Sequence, residues 1–565
     1  MAEKITKTAS LKTQSAWLLF AKVVGFGFSF LLPLLIVRFL SKEDVGIYRQ
    51  VFLVIVNANT IFTLGFGMSA YYFLPRESVR RPSVIINTLL FNFIVGGLIC
   101  LILFLYPSLV GDIFQSAEIT RLAPRIGVII WLWIFSTFLE TVAIANREPK
   151  MATAFIILAQ FTKTALMLAA VVIFATVESF VYAAMIQAFL QSIILLVYLN
   201  SRFPRFWKAF DAKFFREQLF YALPFGLASI TWTLQNDIHN YFVGYRFSAA
   251  EFAIYAIGCF ELPLIGMLVE SVASVLIPRM SELEARNDKE EMLRLMMRAT
   301  QKLAFFYFPI YVFLMITAQT FITTLFTKNY LASVPVFLIN LTFLPVYIWV
   351  TDPVVRAYKA LGRFILTLRV FILAGLIAAL YFGIKHFDLR GMIAIVVVAA
   401  IIERAVSTVV VYRKLNVKRG DLLQLKIVGA TAAASLIAGF FTFLFYRNFG
   451  DAIYDWGASL TQTIFTVSKP SLVNFVSGSL VLGFSALLFA PIYLFAANFF
   501  GVIEDKEKEK LWSVLSNLTR RFGEKEKKKE ISNFEFQISN QESEGQRTKE
   551  EKPMPIANRK SQIEN

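Results

Sequence analysis

The sequence has very few cysteine and histidine residues and little charge. Its 565 residues include two cysteines, two histidines and 17% charged residues. Both cysteines, Cys100 and Cys259, lie within apolar runs, so neither a disulfide framework nor a cysteine-based metal site is available. The sequence also lacks HExxH, GxSxG and GxxxxGK motifs, which mark common hydrolases and ATPases. We therefore expect no enzymatic activity and no cofactor.

Long apolar runs dominate the rest of the sequence. Apolar residues make up 57% of the chain and the mean hydropathy is +0.62, whereas soluble domains are about 45–50% apolar and about 25% charged. A membrane-spanning helix needs about 20 consecutive apolar residues. Runs such as residues 84–106 are this long and lack the alternation of a β-barrel strand. The sequence predicts an all-α polytopic membrane protein.

Fourteen apolar runs are bounded by charged or turn residues. The predicted spans cover roughly residues 15–38, 46–74, 84–106, 122–146, 150–174, 178–201, 217–243, 250–278, 300–324, 332–358, 364–385, 389–412, 424–446 and 473–498. The first run is too long for the core of a signal peptide and is followed by no small-residue cleavage site, so we expect it to be retained.

Lysine and arginine set the expected orientation. With the N-terminus in the cytoplasm, the inside segments carry more than twice as many of these residues as the outside loops, as the positive-inside rule requires. Both termini are then cytoplasmic. The formal net charge of +17 needs no nucleic acid, because a basic cytoplasmic face can contact anionic lipids.

The C-terminal tail contains two different segments. Residues 503–523 carry large apolar residues at helical spacing, which predicts an interfacial amphipathic helix. Residues 524–565 are rich in Lys, Glu, Ser, Gln and Asn, a composition typical of disorder.

Two short segments resemble one another. SKEDVGIY at 41–48 and SAAEFAIY at 248–255 share serine, acidic and Ile-Tyr positions, and Glu140 and Asp352 form a weaker pair at a similar offset. This indicates a duplication into six-helix lobes, 1–202 and 203–414, followed by two additional helices within 415–502. Because six is even, the two lobes would form a parallel repeat.

The sequence resembles bacterial polysaccharide-biosynthesis flippases of the O-antigen type, members of the multidrug/oligosaccharidyl-lipid/polysaccharide exporter superfamily. The resemblance rests on RFL before the first turn, on Asp44, Gly46 and Tyr48, and on Pro224 and Asp237 in LPFGLASITWTLQNDIHNY. It covers about residues 9–500. It implies a two-lobed transporter that moves an undecaprenyl-pyrophosphate-linked oligosaccharide by alternating access, with glycan polymerase or ligase proteins as further partners.

Ionisable residues within spans must face water or a protein interior, because charge at a helix centre is costly in hydrocarbon. The cations within spans are Lys22, Lys163, Arg356 and Arg404, and the acids are Glu140, Asp237, Glu261, Glu270, Asp352 and Glu403. Asp352 and Arg356 have the spacing of a helical ion pair. Glu403 and Arg404 lie near the cytoplasmic end of their span, where snorkelling to the interface is expected.

The first half is predicted to supply the basic part of the cavity. Lys22 and Asn57 belong to polar stripes along their helices, Lys163 belongs to a polar cluster, and Arg49 lies towards the outer rim. Paired cations suit a pyrophosphate group. The alternative is that these residues hold helices together.

The stretch TLQNDIHNY at 233–241 places polar side chains over much of one helix. Such a helix cannot face lipid there. We expect Asp237, His239 and Gln235 to line the cavity and contact sugar hydroxyls. Asp237 and Glu140 are candidates to bind a coupling proton or Na⁺. A hydrogen-bond cluster between helices is the alternative for this stretch.

Three other functions compete with the flippase. A peptidoglycan-precursor flippase should have several arginines at the centre of its cavity. A drug/cation antiporter generally has twelve spans and an acidic cavity. A membrane glycan polymerase or ligase needs a sizeable outside loop, and the longest one predicted here is 447–472.

Overall fold

A computed structural model describes residues 11–77, 79–418, 420–464 and 469–503. The α-helices of this part are α1 (Leu11–Phe39), α2 (Lys42–Phe62), α3 (Ser69–Phe73), α4 (Arg81–Leu105), α5 (Ser108–Phe114), α6 (Ala117–Ser136), α7 (Phe138–Ala145), α8 (Pro149–Ile173), α9 (Val177–Arg202), α10 (Ala212–Arg246), α11 (Ala249–Gly258), α12 (Pro263–Ala285), α13 (Lys289–Phe326), α14 (Val334–Leu341), α15 (Asp352–Ala357), α16 (Lys359–Gly383), α17 (Leu389–Leu415), α18 (Lys426–Ile464) and α19 (Pro470–Phe499). Short 3₁₀ helices cover Phe66–Met68, Phe206–Lys208, Lys328–Ser333, Leu344–Ile348 and Asp421–Leu425.

The all-α membrane fold is confirmed. Eleven helical segments of the described chain are long and apolar enough to cross a membrane. The predicted spans 15–38, 217–243 and 250–278 are largely helical but lie outside this set, so the count of fourteen stays a prediction. Segment 250–278 is interrupted at residues 259–262, between α11 and α12, because Pro263 starts a new helix.

Helix α18 corrects the predicted outside loop at 447–472. It runs through Ile464, and its 39 residues extend about 58 Å at the usual rise per residue, well beyond the roughly 30 Å of hydrocarbon. Its extension packs on neighbouring helices: the Tyr454 hydroxyl donates to Asn474 at 3.0 Å, and the Asn474 amide donates to the Thr323 carbonyl at 2.7 Å.

The described chain divides between Ala496 and Ala497 into two compact units. Within the first unit, α1 packs on α8, α4 on α6 and α13 on α18. The division into two six-helix lobes stays a prediction. In the second unit α19 ends at Phe499 and Gly501 has a positive φ. The predicted amphipathic helix at 503–523 and disordered tail at 524–565 lie outside the described residues, apart from Ile503.

The two similar segments begin neighbouring helices. Ser41 caps α2 by accepting from the Asp44 amide at 3.1 Å. Ser248 caps α11 in the same way. The Ser248 amide in turn donates to the Glu251 carboxylate at 3.0 Å, which completes a capping box. The first turns of α2 and α11 pack together, with Gly46 directly against Ala249.

Arg38 joins the same region to α13. Its guanidinium donates to the carbonyls of Thr324 and Leu325, both at 2.9 Å. A cation is favourable at these last carbonyls of a helix. We call this region, formed by residues 38–48, 248–255 and 324–330, the closed end.

Candidate functional site

A cavity of about 790 Å³ lies near the C-terminal end of α2 and beside α10. The closed end lies at the other end of α2. Its walls come from α10, α12, α15, α16, α17 and the 3₁₀ helix Leu344–Ile348, with Thr60 and Met68 from the first half. The remaining lining residues are Phe225, Ala228, Ser229, Trp232, Thr233, Gln235, Asn236, Val269, Ala273, Phe343, Tyr347, Trp349, Val350, Thr351, Asp352, Val355, Arg356, Ile365, Arg369, Ala400, Glu403, Arg404 and Ser407.

Three arginines and two carboxylates face this cavity. Arg369 pairs with Glu403 at 3.0 Å, and Glu403 also accepts from the Gln235 amide. Arg356 pairs with Asp352 at 2.7 Å. Charged groups on membrane-spanning helices belong in such a wet interior, so the cavity accounts for their presence there.

Arg404 has neutral partners. Its guanidinium donates to the Trp349 carbonyl at 3.1 Å and to the Thr351 hydroxyl at 3.5 Å. Both acceptors lie where the backbone leaves helical geometry, between the 3₁₀ helix and α15. Irregular backbone at membrane depth is tolerated where it lines a cavity. This break exposes the carbonyl that holds Arg404 in place.

Aromatic side chains flank the arginines. The Arg369 guanidinium lies 4.9 Å from the centre of the Trp232 ring, and that of Arg404 lies 5.6 Å from the Tyr347 ring. Cations over aromatic faces are attracted to them. The cavity thus combines rigid aromatic walls with positioned guanidinium groups, which can bind an anion and an adjoining ring.

Polar side chains of α10 have different surroundings. Of the predicted site residues with described side chains, Gln235 lines the cavity. His239 is buried and shares a hydrogen bond of 2.8 Å with the Tyr255 hydroxyl, on the side of α11. Asp237 is half-buried beside Asn57, and the Asn57 amide donates to the Tyr241 hydroxyl at 3.1 Å. Asn57 therefore joins α2 to α10.

The remaining predicted residues are spread through the molecule. Arg49 is half-buried near Tyr330 and Cys259 of the second half. Lys163 lies 5.2 Å from the centre of the Trp133 ring. Glu140 is exposed on α7. Lys22 belongs to α1, but its side chain lies outside the part that the structure describes.

Two expectations require correction. Among the side chains that the structure describes, the cavity cations are Arg356, Arg369 and Arg404 of the second half, and not residues of the first half. Glu403 and Arg404 face the cavity instead of extending along their own helix, because Glu403 contacts Gln235 and Arg369 and Arg404 bonds to the Trp349 carbonyl.

Arg369 is the residue that the sequence analysis missed. It lies only a few residues inside the predicted span 364–385, next to the basic residues Lys359 and Arg363 that precede the span. The sequence does contain a pattern that indicates Arg369. This residue lies in one apolar span, and Glu403 and Arg404 lie in the next, where an ion pair between helices is the least costly arrangement.

The fold and its eleven candidate spans in the described chain define a multi-pass helical membrane protein. Residues 34–335 match the sequence profile of the family described as "Polysaccharide biosynthesis protein". This match covers more than half of the chain, and the chain belongs to that family. No curated protein matches it by sequence.

Several solved structures share the fold. The lipid II flippase MurJ in an inward closed conformation is 15% identical, with a TM-score of 0.60 over 86% of this chain and 98% of that chain. A multidrug resistance MATE family transporter of the MOP superfamily, inward-facing, is 14% identical, with a TM-score of 0.56 over 73% and 96%. A MOP superfamily transporter from Pyrococcus furiosus is 16% identical, with a TM-score of 0.51 over 73% and 99%. At these identities the similarity establishes the fold alone.

Proposed function

We propose that this chain moves an undecaprenyl-pyrophosphate-linked oligosaccharide from the cytoplasmic to the outer leaflet of the bacterial inner membrane. The head group binds in the arginine-containing cavity and is released after an alternating-access change. The observation that supports this most directly is the set of three arginines lining about 790 Å³ among helices that can span a membrane.

Arg404 and Arg369 are the residues proposed to bind the pyrophosphate. Guanidinium groups match phosphate oxygens in both charge and geometry. Because Arg404 has the neutral partners Trp349 and Thr351, its charge remains available to an anionic ligand. Glu403 pairs with Arg369 and also accepts from the Gln235 amide. When phosphate binds Arg369, the Glu403 carboxylate can therefore keep its hydrogen bond to Gln235.

The aromatic walls are proposed to hold the sugar next to the pyrophosphate. Trp232, Tyr347 and Trp349 line the cavity beside the arginines. Binding sites typically combine apolar and aromatic walls with a few fixed polar groups. Sugar rings present apolar faces to such walls, while Asn236 and Ser229 in the same cavity offer hydrogen bonds to hydroxyl groups.

The orientation follows from the lysine and arginine bias, which places the N-terminus in the cytoplasm. The closed end is then on the outer side, and the cavity lies towards the cytoplasm. This arrangement suits loading of cytoplasmic substrate. In this proposal the released product passes to glycan polymerase or ligase proteins. The chain itself transports the glycan and does not catalyse its polymerisation. Its basic cytoplasmic loops contact anionic lipids.

Asp237 is proposed to bind the coupling ion, a proton or Na⁺. Asp237 on α10 lies beside Asn57 on α2, so a cation there would change the contact between these two helices. An Asp237→Asn variant should transport at a rate independent of the Na⁺ or proton gradient. Retained dependence on both gradients would exclude Asp237 from coupling.

The transport proposal is tested in cells that lack the gene. Undecaprenyl-linked glycan should accumulate on the cytoplasmic leaflet, and the wild-type gene should restore surface glycan. Arg404→Gln and Arg369→Gln should reduce restoration at least tenfold at equal protein levels. Arg363→Gln is the matched control, since Arg363 is exposed on α16 outside the cavity. An unchanged leaflet distribution on deletion would refute the proposal.

A peptidoglycan-precursor flippase is the second candidate. The three arginines of one cavity meet the expectation stated for that function. Complementation distinguishes the two candidate functions. Rescue of growth in cells depleted of their lipid II flippase would support transport of the peptidoglycan precursor. Rescue of surface polysaccharide alone would support the leading proposal.

A further inference from the structure

A second cavity, of about 550 Å³, lies between α8 and α9, away from the arginine cavity. Most of its wall is apolar. It begins at the turn between the two helices, and its lining residues are Leu166, Ala169, Ala170, Ile173, Phe174, Thr176, Glu178, Ser179, Tyr182, Ala183 and Ile186. We call it the α8–α9 groove.

The groove has the length of one membrane leaflet. Both α8 and α9 are candidate membrane spans, so the turn between them lies at a membrane surface. From Thr176 to Ile186 along α9 is about 15 Å, which is half of the roughly 30 Å of hydrocarbon in a bilayer. Several residues here, such as Ile173 and Ile186, are well exposed. The groove can therefore hold an acyl chain from the adjoining leaflet.

Charges of both signs surround the mouth of the groove. Glu178 lines it and pairs with Arg121 at 3.3 Å and Arg125 at 3.2 Å. The Arg125 guanidinium also lies 5.3 Å from the centre of the Tyr182 ring, and Tyr182 is itself part of the wall. Glu118 lies close to Arg121 and Glu178. An anionic head group would be repelled by the two carboxylates. A zwitterionic head group can pair its cation with a carboxylate and its phosphate with the two arginines.

We propose that the α8–α9 groove binds one phospholipid whose head group carries a primary ammonium, as phosphatidylethanolamine does. The ammonium donates to Glu178, the phosphate contacts Arg121 and Arg125, and one acyl chain fills the groove. Charge-assisted hydrogen bonds of this kind are directional, so a quaternary ammonium, which has no N–H, binds more weakly. This site is independent of the glycan proposal, because it shares no residue with the arginine cavity.

The test uses the purified full-length protein and native mass spectrometry, with phosphatidylethanolamine, phosphatidylcholine and phosphatidylglycerol of identical chains. One phosphatidylethanolamine should bind at least tenfold more tightly than either other lipid. Equal binding of phosphatidylethanolamine and phosphatidylcholine by the wild type would overturn the proposal even if every variant failed to fold. Preference for phosphatidylglycerol would overturn it as well.

Variants place the lipid in the groove. Glu178→Gln should reduce binding of phosphatidylethanolamine to the level of phosphatidylcholine, whereas Glu282→Gln, which removes a carboxylate paired with Arg279 on α12, should not. Ala169→Phe should block binding of all three lipids, because Ala169 is an exposed wall residue. Val172→Phe is its control, since Val172 is 60% exposed on the same helix and outside the wall. Equal loss in Ala169→Phe and Val172→Phe would refute the assignment to the groove.

Discussion

Gly46 in the first turns of α2 packs directly against the backbone carbonyl of Ala249 at the start of α11. A side chain at position 46 would occupy the space of that carbonyl. The contact brings together the two similar segments of the sequence, each capped by its own serine. It holds the closed end together at the start of α2, whereas the arginine cavity includes Thr60 near the end of this helix.

Gly46→Ala should open or strain this contact. The added methyl group meets backbone that cannot move aside, and overpacking of this kind costs about 1–3 kcal/mol. We expect a lower melting temperature in detergent and weaker glycan transport. Gly27→Ala is the control, because no described atom lies within 4 Å of the added carbon. Equal stability of the two variants would show that the contact is loose.

Arg38→Gln should loosen the same end through a different interaction. The substitution removes two bonds to the carbonyls of Thr324 and Leu325. We expect hydrogen exchange to rise at least several-fold in residues 321–330. Arg246→Gln serves as the control, since Arg246 ends α10 and lies over Phe247. No change in exchange upon Arg38→Gln would mean that α13 is held there by other contacts.

The Arg369–Glu403 pair should show strong coupling in a double-mutant cycle. Both side chains are largely buried, with 31% and 14% exposed, and contacting residues couple by about 0.5–3 kcal/mol. The measurement is the free energy of unfolding of Arg369→Gln, Glu403→Gln and the double variant.

The Asp352–Arg356 pair is the internal comparison for this cycle. Its side chains are 44% and 63% exposed, and exposed ion pairs contribute about 0–1 kcal/mol. We expect its coupling energy to be smaller than that of Arg369 and Glu403. The opposite order would contradict the burial seen at the cavity wall.

Tyr255→Phe should separate a structural role of His239 from a proton-transfer role. The substitution removes the partner of a buried hydrogen bond, which costs about 1–3 kcal/mol of stability when a polar atom is left unpaired. We expect the pH dependence of transport to stay unchanged in this variant and in His239→Asn. A shifted pH profile in both would instead assign a proton to His239.

Much of the fold could be predicted because the membrane restricts the choices. A spanning segment must satisfy its backbone internally and remain apolar for about 20 residues, so the apolar runs locate the helices. The extension of α18 could not be found in this way. Residues 447–464 leave the apolar run, and they remain helical because Tyr454 and Gly457 pack against α19.

The candidate site was predicted only in part. The polar stretch 233–241 is helical, and its side chains face different partners. Gln235 lines the cavity, Asp237 lies beside Asn57, and His239 bonds to Tyr255. A sequence of one chain does not show which neighbour a helical face meets. Arg369 was missed for the same reason.

The sequence by itself determined that this chain is a helical membrane protein with charges that must turn inward, because hydrocarbon penalises exposed polar groups wherever they occur along the chain. Only the tertiary structure decided which charges meet. The approach of α10, α16 and α17 brings Gln235, Arg369 and Glu403 together, and helix packing depends on side chains far apart in the sequence.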